Sequence, residues 1–282
     1  MSSATARFQL AGFSLELITD LPLLQAFSHL EAVTDEPDLR VRVVAGRCRG
    51  GWGLRPSRDG RRVYWGSPAG EWVLDRQASV IYGRVDPERL TDFERGRPFY
   101  PLLVAWLADR GLVVLHAALL SHQRRGVLLA GPRGAGKTTT ALGCHACGWT
   151  FVAEDKVTID PQGVVGHSLY CSAFEPQAEG PKRLRFLTQG LASRATIEML
   201  ALPQVSRQTR LTRLRKSRAL LRLAPNSLFQ GQLNQGRTAF ARLSSLVEAV
   251  PAFLFELGPK TSENSQALVT TLASLPLPAG PA

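Results

Sequence analysis

The stretch GVLLAGPRGAGKTTTALG, residues 126 to 143, limits what this chain can fold into more than any other. Within it, GPRGAGKT fits G-x-x-x-x-G-K-[ST], with Gly131, Gly136, Lys137 and Thr138 in the defining places. The apolar run ahead of the motif reads as a buried strand, and the residues through Thr140 and Leu142 read as a helix. A strand that turns through glycines into a helix aims a row of backbone N–H groups and the positive end of a dipole at one spot. Gly131, Gly134 and Gly136 are expected to take positive φ and to bring the backbone against phosphate oxygens with no Cβ in the way. The expected cradle is the whole run Gly131, Pro132, Arg133, Gly134, Ala135, Gly136, Lys137, Thr138 and Thr139. Lys137 would reach the β- and γ-phosphates and the Thr138 hydroxyl would ligate magnesium, so ATP and Mg2+ are the expected pair.

A triphosphate site does not name a reaction. GWTFVAEDKV follows the motif, and in it Glu154 and Asp155 close a short apolar strand, where ligands gather in open α/β sheets. Adjacent strand residues point to opposite sides, so the two carboxylates are expected to divide the work. One would take the proton of an attacking hydroxyl and the other would support the metal; the residues alone leave open which does which. Upstream, LVVLHAALL and GVLLAG read as two buried strands of a hairpin turning near Gln123, with Gly126 opposite Leu120 and Ala130 opposite His116. That register sets His116 beside the mouth of the loop, although a lone histidine in an apolar strand is also a common core residue. His122, His145 and His167 have no comparable placement.

The chain has 282 residues, 44% apolar and 20% charged, the balance of a globular protein large enough for two unequal parts. Residues 1–90 read as a β-rich region, with LRVRVVAG and RRVYWGS as strands and Asp59-Gly60 as a turn; residues 91–282 read as the catalytic part. Trp52, Trp65 and Trp72 could line a binding face or pack inward. A helix is expected over PLLVAWLADR, a strand over VPAFLFEL and a last helix over SENSQALVTTLASL. Cys144 and Cys147 form a C-x-x-C pair that reads as burial on the helix after the loop, and four cysteines make no disulfide framework. With no apolar run long enough to span a bilayer and no secretory pattern at residues 1–20, a cytoplasmic protein without membrane attachment is expected.

Lys and Arg number 34 against 23 Asp and Glu, net +11, which favours an anionic partner. Much of the excess lies in SRQTRLTRLRKSRALLRL, where Arg207, Arg210, Arg213, Arg215, Lys216, Arg218 and Arg222 alternate with leucines as on an amphipathic helix. A solvated basic face is the default reading, and docking of an acidic peptide or protein acceptor is the functional one. Nucleic acid is disfavoured there, because the segment has no aromatic residues for base stacking.

In order as well as motif, LHAALL, then GPRGAGKTTTAL, then GWTFVAEDKV resembles the HPr kinase family, bacterial serine kinases with a phosphoenolpyruvate-carboxykinase-like fold, and especially its shorter HPr-kinase-related relatives. The resemblance covers residues 90 to 282 and implies an α/β core of that kind. It implies Lys137 and Thr138 in the phosphate and metal roles, Asp155 as catalytic base, Glu154 as the neighbouring acid on the metal, and His116 near the transferred phosphate. It also implies a homo-oligomer. Relatives of the short type include kinases that phosphorylate ribosomal peptide natural-product precursors such as those of lasso peptides, so a serine or threonine hydroxyl of a peptide or protein is the implied acceptor. Two departures stand out: the acidic pair is Glu-Asp where the family has Asp-Asp, and EGPKRLRF stands where true HPr kinases carry a glycine-rich segment, so the reverse phosphorylase reaction is not implied. Other readings of the same phosphate loop are a small-molecule kinase, and a non-catalytic nucleotide-responsive scaffold or nucleic-acid-binding switch.

Overall fold

The computed structural model describes residues 3–48, 50–51, 53–175, 177, 179–227 and 235–276. The chain is mixed α/β and forms two compact units. The first unit contains residues 1–112, 169–188 and 229–235, and the second contains 113–168, 189–228 and 236–282. The first thus runs past the boundary expected at residue 90 and takes in two later segments.

In the first unit seven strands form one sheet: β1 (Ala4–Leu10), β2 (Phe13–Thr19), β3 (Leu39–Ala45), β4 (Gly53–Pro56), β5 (Arg62–Gly66), β6 (Gly70–Asp75) and β7 (Val80–Val85), in the order β1-β2-β3-β7-β6-β5-β4. Their period-2 alternation is plain in β3 and β6, where Leu39, Val41, Val43, Trp72 and Leu74 are buried and the residues between face outward. Trp65 stacks on the buried Trp72 with ring centroids 5.7 Å apart, which settles the tryptophans toward packing; Trp52 lies outside the described residues. Helix α1 (Asp92–Gly96) opens on a capping box between Thr91 and Glu94. Helix α2 (Tyr100–Ala108) follows, and its residues from Pro101 to Ala108 are all buried.

In the second unit β8 (Val113–Leu115), β9 (Ala117–His122) and β10 (Arg125–Ala130) lead through residues 131–136 into α3 (Lys137–Ala146), then β11 (Thr150–Glu154), β12 (Val157–Ile159) and β13 (Val165–Ser168). The chain passes to the first unit for the antiparallel pair β14 (Ser172–Glu175) and β15 (Arg183–Phe186). It returns as β16 (Arg194–Val205), β17 (Arg210–Arg213), α4 (Lys216–Leu223), α5 (Gly236–Ala249), β18 (Ala252–Leu257) and α6 (Thr261–Ala273). Nine strands make the sheet, in the order β11-β9-β10-β16-β13-β12-β8, with β18 added to β16 and β17 to β18. The strand before the glycine loop is central, antiparallel to β9 and parallel to β16. Its residues Val127 to Ala130 are wholly buried, as a continuous apolar run requires when both faces are covered.

The structure corrects three sequence readings. LVVLHAALL is two strands, and His116 is the break between them, its N–H donating to the Asn226 carbonyl at 2.8 Å. The hairpin is one residue out of the expected register, with Gly126 opposite Ser121 and Ala130 opposite Ala117. Its turn residues are Gln123 and Arg124, both at positive φ (49° and 68°), so the turn centres between them rather than on Gln123. The basic segment is not one helix: Arg210–Arg213 is a strand pairing with β18, Arg210 opposite Glu256, and the helix begins only at Lys216. Cross-strand charge pairing and the open edge of β18 outweigh the helical spacing there. The VPAFLFEL strand and the final helix lie where the sequence puts them.

Candidate functional site

The glycine loop closes on itself through its lysine. Lys137 is the first residue of α3 and only 6% exposed, and its Nζ donates to the carbonyls of Gly131 at 2.7 Å and Pro132 at 3.0 Å. The ammonium therefore sits at the opening of the loop. Gly134 (φ 84°) and Gly136 (φ 94°) are left-handed, and a Cβ at Gly136 would come within 2.5 Å of Leu257 Cδ1, so the helix start admits only glycine without rearrangement. Gly131 does not take the positive φ expected of it; a Cβ there would make ordinary contacts with Ala135 and Pro203. Pro132, Arg133 and Gly134 are exposed, Ala135 and Thr138 are half-buried, and Thr139 faces solvent.

β11 runs beside β9, with Glu154 opposite Ala118 and a register shift between Phe151 and Ala153 that offsets the end of the strand. Glu154 is 7% exposed, and its Oε1 accepts the Thr138 hydroxyl at 2.6 Å. Asp155 leaves the strand with φ 68°, a conformation uncommon outside glycine. Asp155 thus departs from the strand alternation expected of the pair through its left-handed backbone. The Oδ1 of Asp155 lies 2.9 Å from His116 Nε2 and its Oδ2 lies 2.6 Å from Lys156 Nζ. His116 keeps 30% of its side chain exposed, whereas Asp155 keeps 15% and Lys156 only 7%. Backbone breaks make this cluster: His116 stands between two strands and Asp155 just past one. Lys156 is the site residue that sequence reasoning missed; its adjacency to the acidic pair was the available signal.

A cavity of about 420 Å3 adjoins the cluster, lined by His116, the first residues of the loop from Ala130 to Arg133, Leu202, Pro203, and the stretch Leu221 to Asn226. Its size is that of a small-molecule pocket. Arg133 and Arg222 bring positive charge to it.

The donor set fits magnesium. Among the described residues no three His, Cys, Asp or Glu side chains gather as a metal cage. Magnesium instead takes one or two carboxylates, retained waters and substrate phosphates, and the paired Thr138 hydroxyl and Glu154 carboxylate at the helix start suit that mode. The remaining histidines are structural. His145 Nδ1 meets the Trp149 carbonyl at 3.0 Å, His122 lies against the Trp149 ring, and burial holds His167 below the usual histidine range. Cys144 is buried with its thiol pushed up to about 12 by desolvation, while Cys147 is exposed. The arginines of the basic segment are exposed; Arg213 lies over the Phe253 ring and Lys216 pairs with Glu248. Among the described residues no helix is long and apolar enough to cross a membrane.

No family model matches the chain, and no curated protein does. Among solved structures it is similar to the Hpr(Ser) kinase/phosphatase from Coxiella burnetii, at 12% identity over 56% of this chain and 89% of that one, with a TM-score of 0.36. A likeness of that degree carries no weight for activity, which has to be argued from the residues.

Proposed function

We propose that this chain is a magnesium- and ATP-dependent kinase of the HPr-kinase-like type, with a phosphoenolpyruvate-carboxykinase-like core, that transfers the γ-phosphate to a serine or threonine hydroxyl of a peptide or protein. One observation carries the reading: a left-handed Asp155 bonded to His116 and Lys156 directly follows Glu154, which is bonded to Thr138 at the start of the phosphate-loop helix. Loop amides and Lys137 hold the triphosphate. Thr138 and Glu154 would hold magnesium, which when bound would neutralise charge on the phosphates. Asp155 accepts the proton of the acceptor hydroxyl as its oxygen bonds to the γ-phosphorus and the bond to the β–γ bridging oxygen breaks, releasing ADP. His116 and Lys156 fix the direction of that carboxylate, one on each oxygen.

The resemblance in motif order favours a peptide acceptor, with ribosomal natural-product precursors as the first candidates. The exposed arginines of the 207–222 segment favour an acidic one. A small-molecule kinase is the second reading, supported by the cavity beside His116. The test is transfer of labelled γ-phosphate to peptides encoded by neighbouring genes, with mass mapping of the modified residue. Asp155→Asn should cut transfer by about 10²- to 10⁴-fold and leave ATP affinity nearly intact, whereas Lys137→Ala should lower both. ATP binding without transfer to any acceptor would favour a nucleotide-responsive scaffold instead.

A further inference from the structure

The outer face of the first unit's sheet carries a row that the kinase chemistry does not use. Register places Arg42 beside Tyr82, Tyr82 beside Val73, Val73 beside Tyr64 and Tyr64 beside Arg55, across the five neighbouring strands β3, β7, β6, β5 and β4. At about 4.8 Å per strand the row is roughly 19 Å long, with the two tyrosines two strands apart. Arg84 stands two residues along β7 from Tyr82, on the same face. The inward-facing partners in these strands, Trp72, Leu74 and Ile81, are 5% exposed or less, yet Tyr64 is 45% exposed and Tyr82 47%. Between them the face dips into a shallow depression of about 540 Å3.

Charge separates this face from an ordinary solvated one. Its other arginines are matched: Arg62 pairs with Asp75, and Arg40 with Glu16 and Glu36. Glu71 also has a partner. Arg42, Arg55 and Arg84 make no ion pair with any described residue. The face thus offers two half-exposed phenol rings and three guanidinium groups that make no ion pair with a described residue, although Glu71 lies opposite Arg84. Flat sheet faces with spaced aromatics and marginal cations suit splayed bases and their phosphates, whereas extended peptides favour sheet edges. Residues 207–222 have no aromatic residues for base stacking, whereas this face carries Tyr64 and Tyr82.

We propose that the outer face of β3-β7-β6-β5-β4 binds single-stranded RNA, two bases stacking on Tyr64 and Tyr82 and the phosphates lying against Arg42, Arg55 and Arg84. The tyrosine hydroxyls can donate to or accept from a 2′-hydroxyl, which is why RNA is chosen over DNA. The test is fluorescence anisotropy of the full chain with a labelled, mixed-sequence single-stranded RNA about ten nucleotides long. Expected are affinity that falls with salt, and a loss of about tenfold in each of Tyr64→Ala and Tyr82→Ala. Tyr64→Phe and Tyr82→Phe should keep most of the stacking affinity but lose the preference for RNA over DNA. Both tyrosines are half exposed, so the variants should melt like the parent, and Lys137→Ala should bind RNA normally, which separates this result from the fate of the kinase reading. Four outcomes would overturn it: no binding; binding unchanged in the alanine variants but lost with Arg215→Ala and Arg218→Ala; equal affinity for DNA of the same sequence; or displacement of the RNA by polyglutamate of equal charge, which would make the face a dock for acidic peptides.

Discussion

Arg125 begins the strand that feeds the glycine loop, and its guanidinium ties three parts of the second unit together. Its Nε meets Glu198 Oε2 at 2.6 Å, while its terminal nitrogens donate to the carbonyls of Leu272 at 2.8 Å and of Leu275 and Pro276 at 3.3 Å, the end of α6. The side chains of the pair are 14% and 10% exposed, so solvent offers little replacement. Arg125→Met leaves a buried carboxylate without its cation, a change that costs about 3–5 kcal/mol, and removes a positive charge from a helix C-terminus, about 0.3–1 kcal/mol more. Calorimetry of the variant should show a fall of roughly 10 °C in the unfolding of the second unit. Adding Glu198→Met should recover most of the loss, because the desolvated carboxylate goes with it and only the helix-end carbonyls stay unpaired. A single variant that loses less than about 1 kcal/mol, or a double variant no better than the single, would refute the reasoning, since the pair would then be behaving like a surface bridge.

Burial holds His29 down to about 4, so its folded form resists a proton that the unfolded chain takes up near 6.5. The stability this contributes is complete above pH 6.5 and is lost as pH falls toward 4, up to about 3 kcal/mol. His29→Gln should therefore flatten the decline in denaturant midpoint between pH 7 and 4.5, and an unchanged decline would contradict it. Cys144 is buried on α3 with a raised thiol while Cys147 is exposed, so of these two iodoacetamide should modify Cys147 in the native protein and reach Cys144 only on unfolding. Mass mapping that finds both labelled at similar rates would mean that α3 is not packed as described.

The left-handed turns of the glycine loop at Gly134 and Gly136 were legible in the sequence because their demands are local, although Gly131 does not share them. A helix start with φ of 94° at Gly136 and a lysine that can fold back six residues are both properties of the octapeptide. The sequence put Thr138 and Glu154 in separate metal roles but not their bond, which joins residues 16 positions apart through the pairing of β11 with β9. What escaped was whatever depended on breaks in regular structure. The hairpin register slipped by one because the two-residue turn centres between Gln123 and Arg124, and periodicity cannot locate a turn to half a residue. Lys156 gave no spacing signal, because its place beside Asp155 follows from a left-handed residue that no pattern announces. The basic segment misled for a tertiary reason: its arginines are spaced for a helix, yet the edge of β18 claims Arg210–Arg213 as a strand. The outward tyrosines Tyr64 and Tyr82 form a row only once β5, β6 and β7 are in register.

The central claim is that one cleft holds the terminal phosphate between the glycine loop and the Asp155–His116 pair. A crystal structure with magnesium and a non-hydrolysable ATP analogue tests it most directly. The account predicts that Lys137 Nζ leaves the Gly131 and Pro132 carbonyls for the phosphates, that the metal sits on Thr138 with Glu154 beside it, and that the Asp155 carboxylate faces the γ-phosphate across a gap that fits one hydroxyl. A triphosphate bound away from residues 131–138, or one bound there with Asp155 turned out of reach of its terminal group, would contradict it.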